Sequence, residues 1–208
     1  MICVDNSKSM HIHGSGLLAL TSVYSVAQSL AKIEAGEVGI VSFGSSITEV
    51  RALSPLDSGL SLSAEDLAER FKFNEQATQS FTKALPSVLT YCSEQFDKSE
   101  SSSQSSMALI ITDGRFNKDA VRPVVRKMIS DGRVPVLIVL DSNEKGKSIY
   151  DIKSIVNDPL TGRPLMRKFL ADDFPFPYYA VINDSSQLPN FVADLVKQWF
   201  EANVTGHC

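Results

Sequence analysis

Short apolar runs alternate with longer stretches of helical periodicity along most of the chain. Ile2-Cys3-Val4 leads into Asp5-Asn6-Ser7-Lys8-Ser9, which reads as a strand ending in a polar turn, with Asp5 at the strand's solvent-facing end. From Gly14 to Glu34, Leu17, Leu20, Tyr24, Ala27 and Ala31 recur at helical spacing with Leu30 beside them, and Gly36 breaks the helix. Val38-Gly39-Ile40-Val41 lies in a buried strand from Glu37 to Phe43. After the turn Gly44-Ser45-Ser46, Ile47 to Leu53 returns as its hairpin partner. Ser63 and Asp66 have the spacing of a capping box and open a short helix to about Phe71. Leu85, Val88, Leu89, Cys92 and Phe96 mark a second long helix, with Pro86 expected in its first turn, where proline is tolerated. Met107 to Thr112 is continuously apolar, as central strands of parallel sheets are. A helix from Ala120 to Asp131, again with proline (Pro123) in the first turn, and a buried strand from Val134 to Leu140 follow. Tyr178 to Ile182 is a last strand. Leu188 to Glu201 is a last helix, with Phe191, Val192, Leu195, Val196 and Trp199 on one side.

This alternation predicts an α/β fold: a doubly wound, mostly parallel central sheet with one antiparallel edge strand and helices on both faces. Residues 1–208 form one domain without internal repeats. The segment at about 143–177 exceeds the usual ~2–6 residue connection between core elements and reads as an insertion. Asp158-Pro159-Leu160-Thr161-Gly162 marks a turn within it, consistent with a hairpin. Lys145, Lys147, Lys153, Arg163, Arg167 and Lys168 make it basic, suited to contacting a partner or the rest of a larger assembly, or to carrying a nuclear import signal.

Composition narrows the function. At 208 residues, 43% hydrophobic and 21% charged, the chain has the profile of a soluble globular domain. A net charge of −4 supplies no basic surface for nucleic acid. No apolar run approaches the ~20 residues needed to span a bilayer. The abrupt start on a strand suggests an excised domain with an added Met1. Cys3, Cys92 and Cys208 are odd in number and lack paired spacing, which argues against a disulfide framework and for a reducing compartment. His11-Ile12-His13 could hold a transition metal, but with no other His or Cys nearby an exposed loop pair is the better expectation.

The chemistry concentrates where strands end. Val4-Asp5 and Thr112-Asp113 each finish an apolar strand with an aspartate, and in a parallel sheet both ends share one edge. Ser7 and Ser9 follow Asp5, and Thr78 precedes the second long helix. Asp5, Ser7, Ser9, Thr78 and Asp113 form a weakly charged set of hard oxygen donors. Such a set suits Mg²⁺, with Ca²⁺ or Mn²⁺ as substitutes, far better than zinc or copper. The plainer alternative is that the two aspartates only cap turns and helices.

Asp-x-Ser-x-Ser after the first strand, a later loop threonine and strand-Asp-Gly after the fourth strand resemble the von Willebrand factor A fold and its metal-ion-dependent adhesion site. Further stretches resemble more narrowly the C-terminal domain of the midasin family, the giant dynein-related AAA ATPases of 60S ribosomal subunit assembly. These are Ile2 to Met10, Val41-Ser42-Phe43-Gly44, Phe71-Lys72-Phe73, Asp173-Phe174-Pro175-Phe176-Pro177-Tyr178-Tyr179 and Gln198-Trp199-Phe200-Glu201. The resemblance implies a non-enzymatic module of a nuclear protein, in nucleolus and nucleoplasm, whose ATPase ring lies elsewhere. It implies binding of ubiquitin-like domains of pre-60S assembly factors through a partner Glu or Asp that completes the metal shell. Contact with the pre-60S particle would run through the parent protein. Ser7 and Ser9 would ligate directly, Thr78 would join with the partner, and Asp5 and Asp113 would act mainly through water or by orienting the hydroxyls. His11 and Arg115 would stand on the partner-binding rim. Two departures stand out: Asn6 occupies a position where midasins often have aspartate, and Thr78 lacks a Gly-Gly lead-in, which keeps Thr82 as a rival.

An extracellular adhesion domain of the same fold is the alternative binding class, and a metal-dependent phosphohydrolase the alternative enzyme. The latter would want a second carboxylate two positions after Asp5, where Ser7 stands. Gly146-Lys147-Ser148 matches only the end of a phosphate loop, because Asp141 replaces the required first glycine.

Overall fold

The computed structural model describes residues 1–12, 15–32, 36–55, 63–73, 81–99, 105–113, 116–141, 148–151, 153–157, 163–170 and 174–205. In chain order these form β1 (Ile2–Asp5), α1 (Lys8–Ile12), α2 (Ser15–Lys32), β2 (Glu37–Phe43), β3 (Ile47–Pro55), α3 (Ala64–Arg70) and α4 (Phe81–Lys98). There follow β4 (Ser106–Thr112), α5 (Lys118–Ser130), β5 (Arg133–Leu140), β6 (Lys153–Asn157), β7 (Pro164–Lys168), β8 (Tyr178–Ile182) and α6 (Leu188–Thr205). The main sheet has the order β3-β2-β1-β4-β5-β8, and β3 alone runs antiparallel, on the edge.

Alternate residues of a strand face opposite sides of a sheet, and here both sides are apolar. Ile2, Val4, Ile40, Leu109, Ile111 and Ile138 pack against α2, α3 and α6. Cys3, Val41, Ala108, Ile110, Leu137 and Val139 pack against α4 and α5. Ile110, fully buried in the centre, is a position where truncation to alanine should cost about 2–5 kcal/mol. Among the described residues no helix is long and apolar enough to cross a membrane.

Local chemistry explains several element boundaries. The capping box at α3 is present in both directions between Ser63 and Asp66. Asn117 caps α5 by accepting from the amides of Asp119 and Ala120 at 3.0 and 3.2 Å. The Asn117 cap starts α5 at Lys118, two residues earlier than the expected Ala120, while α3 starts where its capping box implies. Pro86 and Pro123 each occupy the sixth helical position, in the second turn and not the expected first. Each therefore removes one interior N–H, and α4 and α5 bear that loss through packing.

Two further expectations change. The polar turn after Asp5 is short, because the chain enters α1 at Lys8, with Met10 fully buried and its amide donating to the Ser7 carbonyl at 3.2 Å. Leu17 is 71% exposed and not part of the buried stripe. Gly16 takes that inward place, pressed against the Phe73 ring so closely that a Cβ would stand 2.8 Å from it.

The insertion contains a hairpin, β6 with β7, forming its own two-stranded sheet with Lys153 opposite Lys168 and Ile155 opposite Met166. Where it returns to the body, Phe169, Phe174 and Phe176 surround Phe116 at centroid distances of 5.4, 5.8 and 5.8 Å. At the opposite edge, β2 and β3 shift register, and there the Arg51 guanidinium donates to the carbonyls of Val38, Ala52, Ser54 and Pro55.

Candidate metal centre

Parallel pairing of β1 with β4 brings their carboxyl ends together, with Val4 in register with Ile111. Asp5 and Thr112 are thereby neighbours. The Thr112 hydroxyl donates to Asp5 Oδ2 at 2.6 Å, and the Ser7 amide donates to Asp5 Oδ1 at 2.8 Å. Asp5 is 0% exposed, so the expectation of a solvent-facing strand end is corrected: strands on both sides and the turn above cover it. Burial pushes its carboxyl up to about 6, against the pull of both hydrogen bonds and with a small push from Asp113.

Above this carboxylate lies a chain of oxygens. The Ser7 and Ser9 hydroxyls share a hydrogen bond at 2.9 Å, and Ser9 donates to Asp113 Oδ1 at 3.0 Å. Ser7 is buried at the strand end, while Asp113 is half-buried on the edge. Among the described residues no group of three or more His, Cys, Asp or Glu is placed to hold a metal. A cation here would be held by hydroxyls and a few carboxylates. These residues fit such an ion. Ser7, Ser9 and Asp113 stand in consecutive contact at 2.9 and 3.0 Å, and cis ligands of a Mg²⁺ octahedron stand ~3 Å apart. That separation is also an ordinary hydrogen-bond length, so the fit rests on donor type.

Thr78 and Arg115 lie outside the described residues, as does the Thr82 side chain. His11 is exposed on α1. The structure adds two residues that sequence reasoning missed. Thr112 carries a signal in retrospect: it is the one hydroxyl in an otherwise apolar strand end, beside an aspartate. Asn6 carries none, because its partner is 67 residues away: its Oδ1 accepts the Phe73 amide at 2.8 Å. Asn6 is buried and its side chain is committed to Phe73 instead of joining the serine hydroxyls. Phe73 has φ +46°, a strained backbone for a non-glycine residue, which that bond and the ring's packing on Gly16 hold in place. Ser148, at the end of the partial phosphate-loop match, donates its hydroxyl to Asp141 at 2.6 Å.

The sheet order, the antiparallel edge and the oxygen-lined carboxyl edge define the class. The chain belongs to the von Willebrand factor type A domain family, whose family model matches residues 1–163. Within that class it is similar to midasins. It is 31% identical to midasin of Giardia intestinalis over 206 residues and 25% identical to that of Dictyostelium discoideum over 205, each match covering 97% of this chain. The matches span only 4% and 3% of those proteins' own lengths. Among solved structures, the manganese-loaded TRAP protein of Plasmodium vivax superposes with a TM-score of 0.61 at 18% identity, over 94% of this chain and 70% of that one. The family and the midasin matches support a protein-interaction domain.

Proposed function

We propose that this chain is a Mg²⁺-dependent protein-binding module of a midasin-type ribosome-assembly ATPase. It would act in the nucleus, holding ubiquitin-like domains of pre-60S assembly factors through one exposed Glu or Asp. The observation that carries this is the Ser7–Ser9–Asp113 chain of oxygens set on the sheet edge over a buried Asp5. The midasin matches supply the parent, and the TRAP structure shows a protein of similar fold loaded with a divalent ion, which supports Mg²⁺, Mn²⁺ or Ca²⁺ here.

When bound, the cation supplies a compact positive charge that a partner's carboxylate can join. The chain's own residues do the rest. Ser7 and Ser9 present hydroxyl oxygens, and Asp113 offers a carboxylate oxygen beside them. Asp5 fixes the turn from below through Ser7 N–H and the sheet junction through Thr112. Both Asp5 oxygens are engaged and closed to solvent, so it is poorly placed as a nucleophile, which counts against the phosphohydrolase alternative. Specificity must come from surrounding contacts, since single carboxylates are common on protein surfaces.

Calorimetry with a ubiquitin-like domain of a 60S assembly factor tests this. Binding should be present in Mg²⁺, absent in EDTA, and lost when the partner's key acid is replaced by alanine. Equal affinity in all three arms would remove the metal bridge.

A further inference from the structure

Cys3 on β1 and Cys92 on α4 are the buried reactive groups for which the metal site has no use. Each is 0% exposed, both are free thiols, and their Sγ atoms lie 3.3 Å apart. They are 89 residues apart in sequence, so only the fold brings them together. Cys3 sits in register between Val41 and Ile110, two residues before Asp5. Cys92 faces it from the same core cluster as Val88, Leu89 and Phe96.

We propose that Cys3 and Cys92 form a reversible oxidation site, closed to a disulfide by hydrogen peroxide and reopened by thiol reductants. Closure asks little of the structure: the sulfurs must approach by roughly 1 Å to reach the ~2.05 Å of an S–S bond. The hydrogen bond between the two sulfurs holds the Cys92 thiol below the usual range, which favours a thiolate there. The Cys92 thiolate attacks one peroxide oxygen, the O–O bond breaks, and the departing hydroxide is protonated to water, leaving a sulfenic acid. The Cys3 sulfur then attacks the Cys92 sulfur, the S–O bond breaks, and hydroxide leaves as water with the Cys3 proton. Two thiols lose two electrons, and one peroxide becomes two waters.

Burial selects the oxidant. Peroxide is close to water in size and can reach the pair through small fluctuations, whereas a bulky disulfide such as oxidised glutathione cannot reach a sulfur that is 0% exposed. In a reducing compartment the pair rests as dithiol. The closed form would tie β1, which presents Asp5, to α4. Because α4 leads into a strand parallel to β1, that helix begins at the same sheet edge as Asp5.

The test uses the chain with Cys208→Ser, which leaves only this pair. After ~1 mM hydrogen peroxide, alkylation and digestion, mass spectrometry should find Cys3 and Cys92 in one linked peptide, reversed by dithiothreitol. The thermal midpoint should rise by roughly 5–10 °C, since the crosslink closes a long loop. In a Cys3→Ala variant, which loses the hydrogen bond that favours the Cys92 thiolate, the same treatment should give no linked peptide and should oxidise Cys92 more slowly than in the chain with both cysteines. Unchanged thiols, or sulfinic acid at either position without the linked peptide, would overturn the proposal. The linked-peptide result on the unmutated pair decides even if Cys3→Ala folds poorly.

Discussion

Thr112 donates its hydroxyl to Asp5 Oδ2 at 2.6 Å across the junction of β1 and β4, where both residues are almost closed to solvent. A carboxylate is thus held inside an apolar sheet by hydrogen bonds from Thr112 and Ser7. Burial pushes its pKa from 3.8 up to about 6. The folded chain therefore keeps a proton that the unfolded chain releases near 3.8, and raising the pH through that window works against folding. In EDTA, the stability linked to Asp5 should be complete below pH 3.8 and lost as pH passes about 6, a change of about 3 kcal/mol. Asp5→Asn has no such titration and should be the more stable chain at pH 7.5. Urea unfolding of both chains from pH 4 to 7.5 measures the difference, and a pH-independent gap would contradict the burial of a charge here.

Protonation of Asp5 and binding of the cation above it should oppose each other. Mn²⁺ affinity, followed by electron paramagnetic resonance, should weaken below pH 6 by up to about tenfold per pH unit and be greatly reduced in Asp5→Asn. Asp5→Ala is the poorer probe, because it strands the Thr112 hydroxyl and the Ser7 amide, at about 1–3 kcal/mol for each buried group left unpaired. Unchanged Mn²⁺ affinity in Asp5→Asn would remove Asp5 from the site.

Asn6 should matter through Phe73 more than through the cation. Asn6→Ala leaves the buried Phe73 amide without its acceptor, and about 1–3 kcal/mol of stability should be lost. Asn6→Asp keeps an acceptor and should restore most of it. Gly16→Ala should also destabilise by about 1–3 kcal/mol, since its Cβ would meet the Phe73 ring at 2.8 Å. Chemical denaturation of the three variants checks the set. An Asn6→Asp chain no better than Asn6→Ala would show that the acceptor is not what Asn6 supplies.

Much of the fold was legible because it is written in local patterns. Tyr178–Ile182 matches its expected bounds, Met107 to Thr112 is a central strand, and Ser63 with Asp66 caps α3 as their spacing implies. What escaped depends on neighbours distant in sequence. Asp5 is polar and ends a strand, so it reads as solvent-facing, yet strands on both sides close over it. Leu17 fits a helical period, but the stripe is set by where Phe73 arrives against Gly16. The odd cysteine count argued against pairing, and the Cys3–Cys92 contact arises only when α4 docks on β1. Of the site, Asp5, Ser7, Ser9 and Asp113 are brought together, while Thr78 and Arg115 lie outside the described residues.

The insertion and its anchor should separate on mutation. Replacing residues 153–168, the β6–β7 hairpin, by a short flexible link should leave Mn²⁺ affinity within about twofold, because β6 and β7 form a two-stranded sheet separate from the main one. Phe169→Ala should cost about 3–5 kcal/mol, because it opens the cluster around Phe116, three residues beyond Asp113. Thermal melts and Mn²⁺ titrations of both variants distinguish the roles. A hairpin deletion that abolishes ion binding would make the insertion part of the centre.

Arg51 has a consequence for how the molecule keeps company with its own kind. An edge strand offers free carbonyls to any passing chain, and β3 is long enough to be such a template. Its carbonyls at Ala52, Ser54 and Pro55 accept from the Arg51 guanidinium, which also reaches the Val38 carbonyl of β2 where the register shifts. Addition of another strand along that stretch would have to displace a charged side chain from three acceptors. Arg51 thereby blunts that stretch of the edge against polymerisation from within its own sequence.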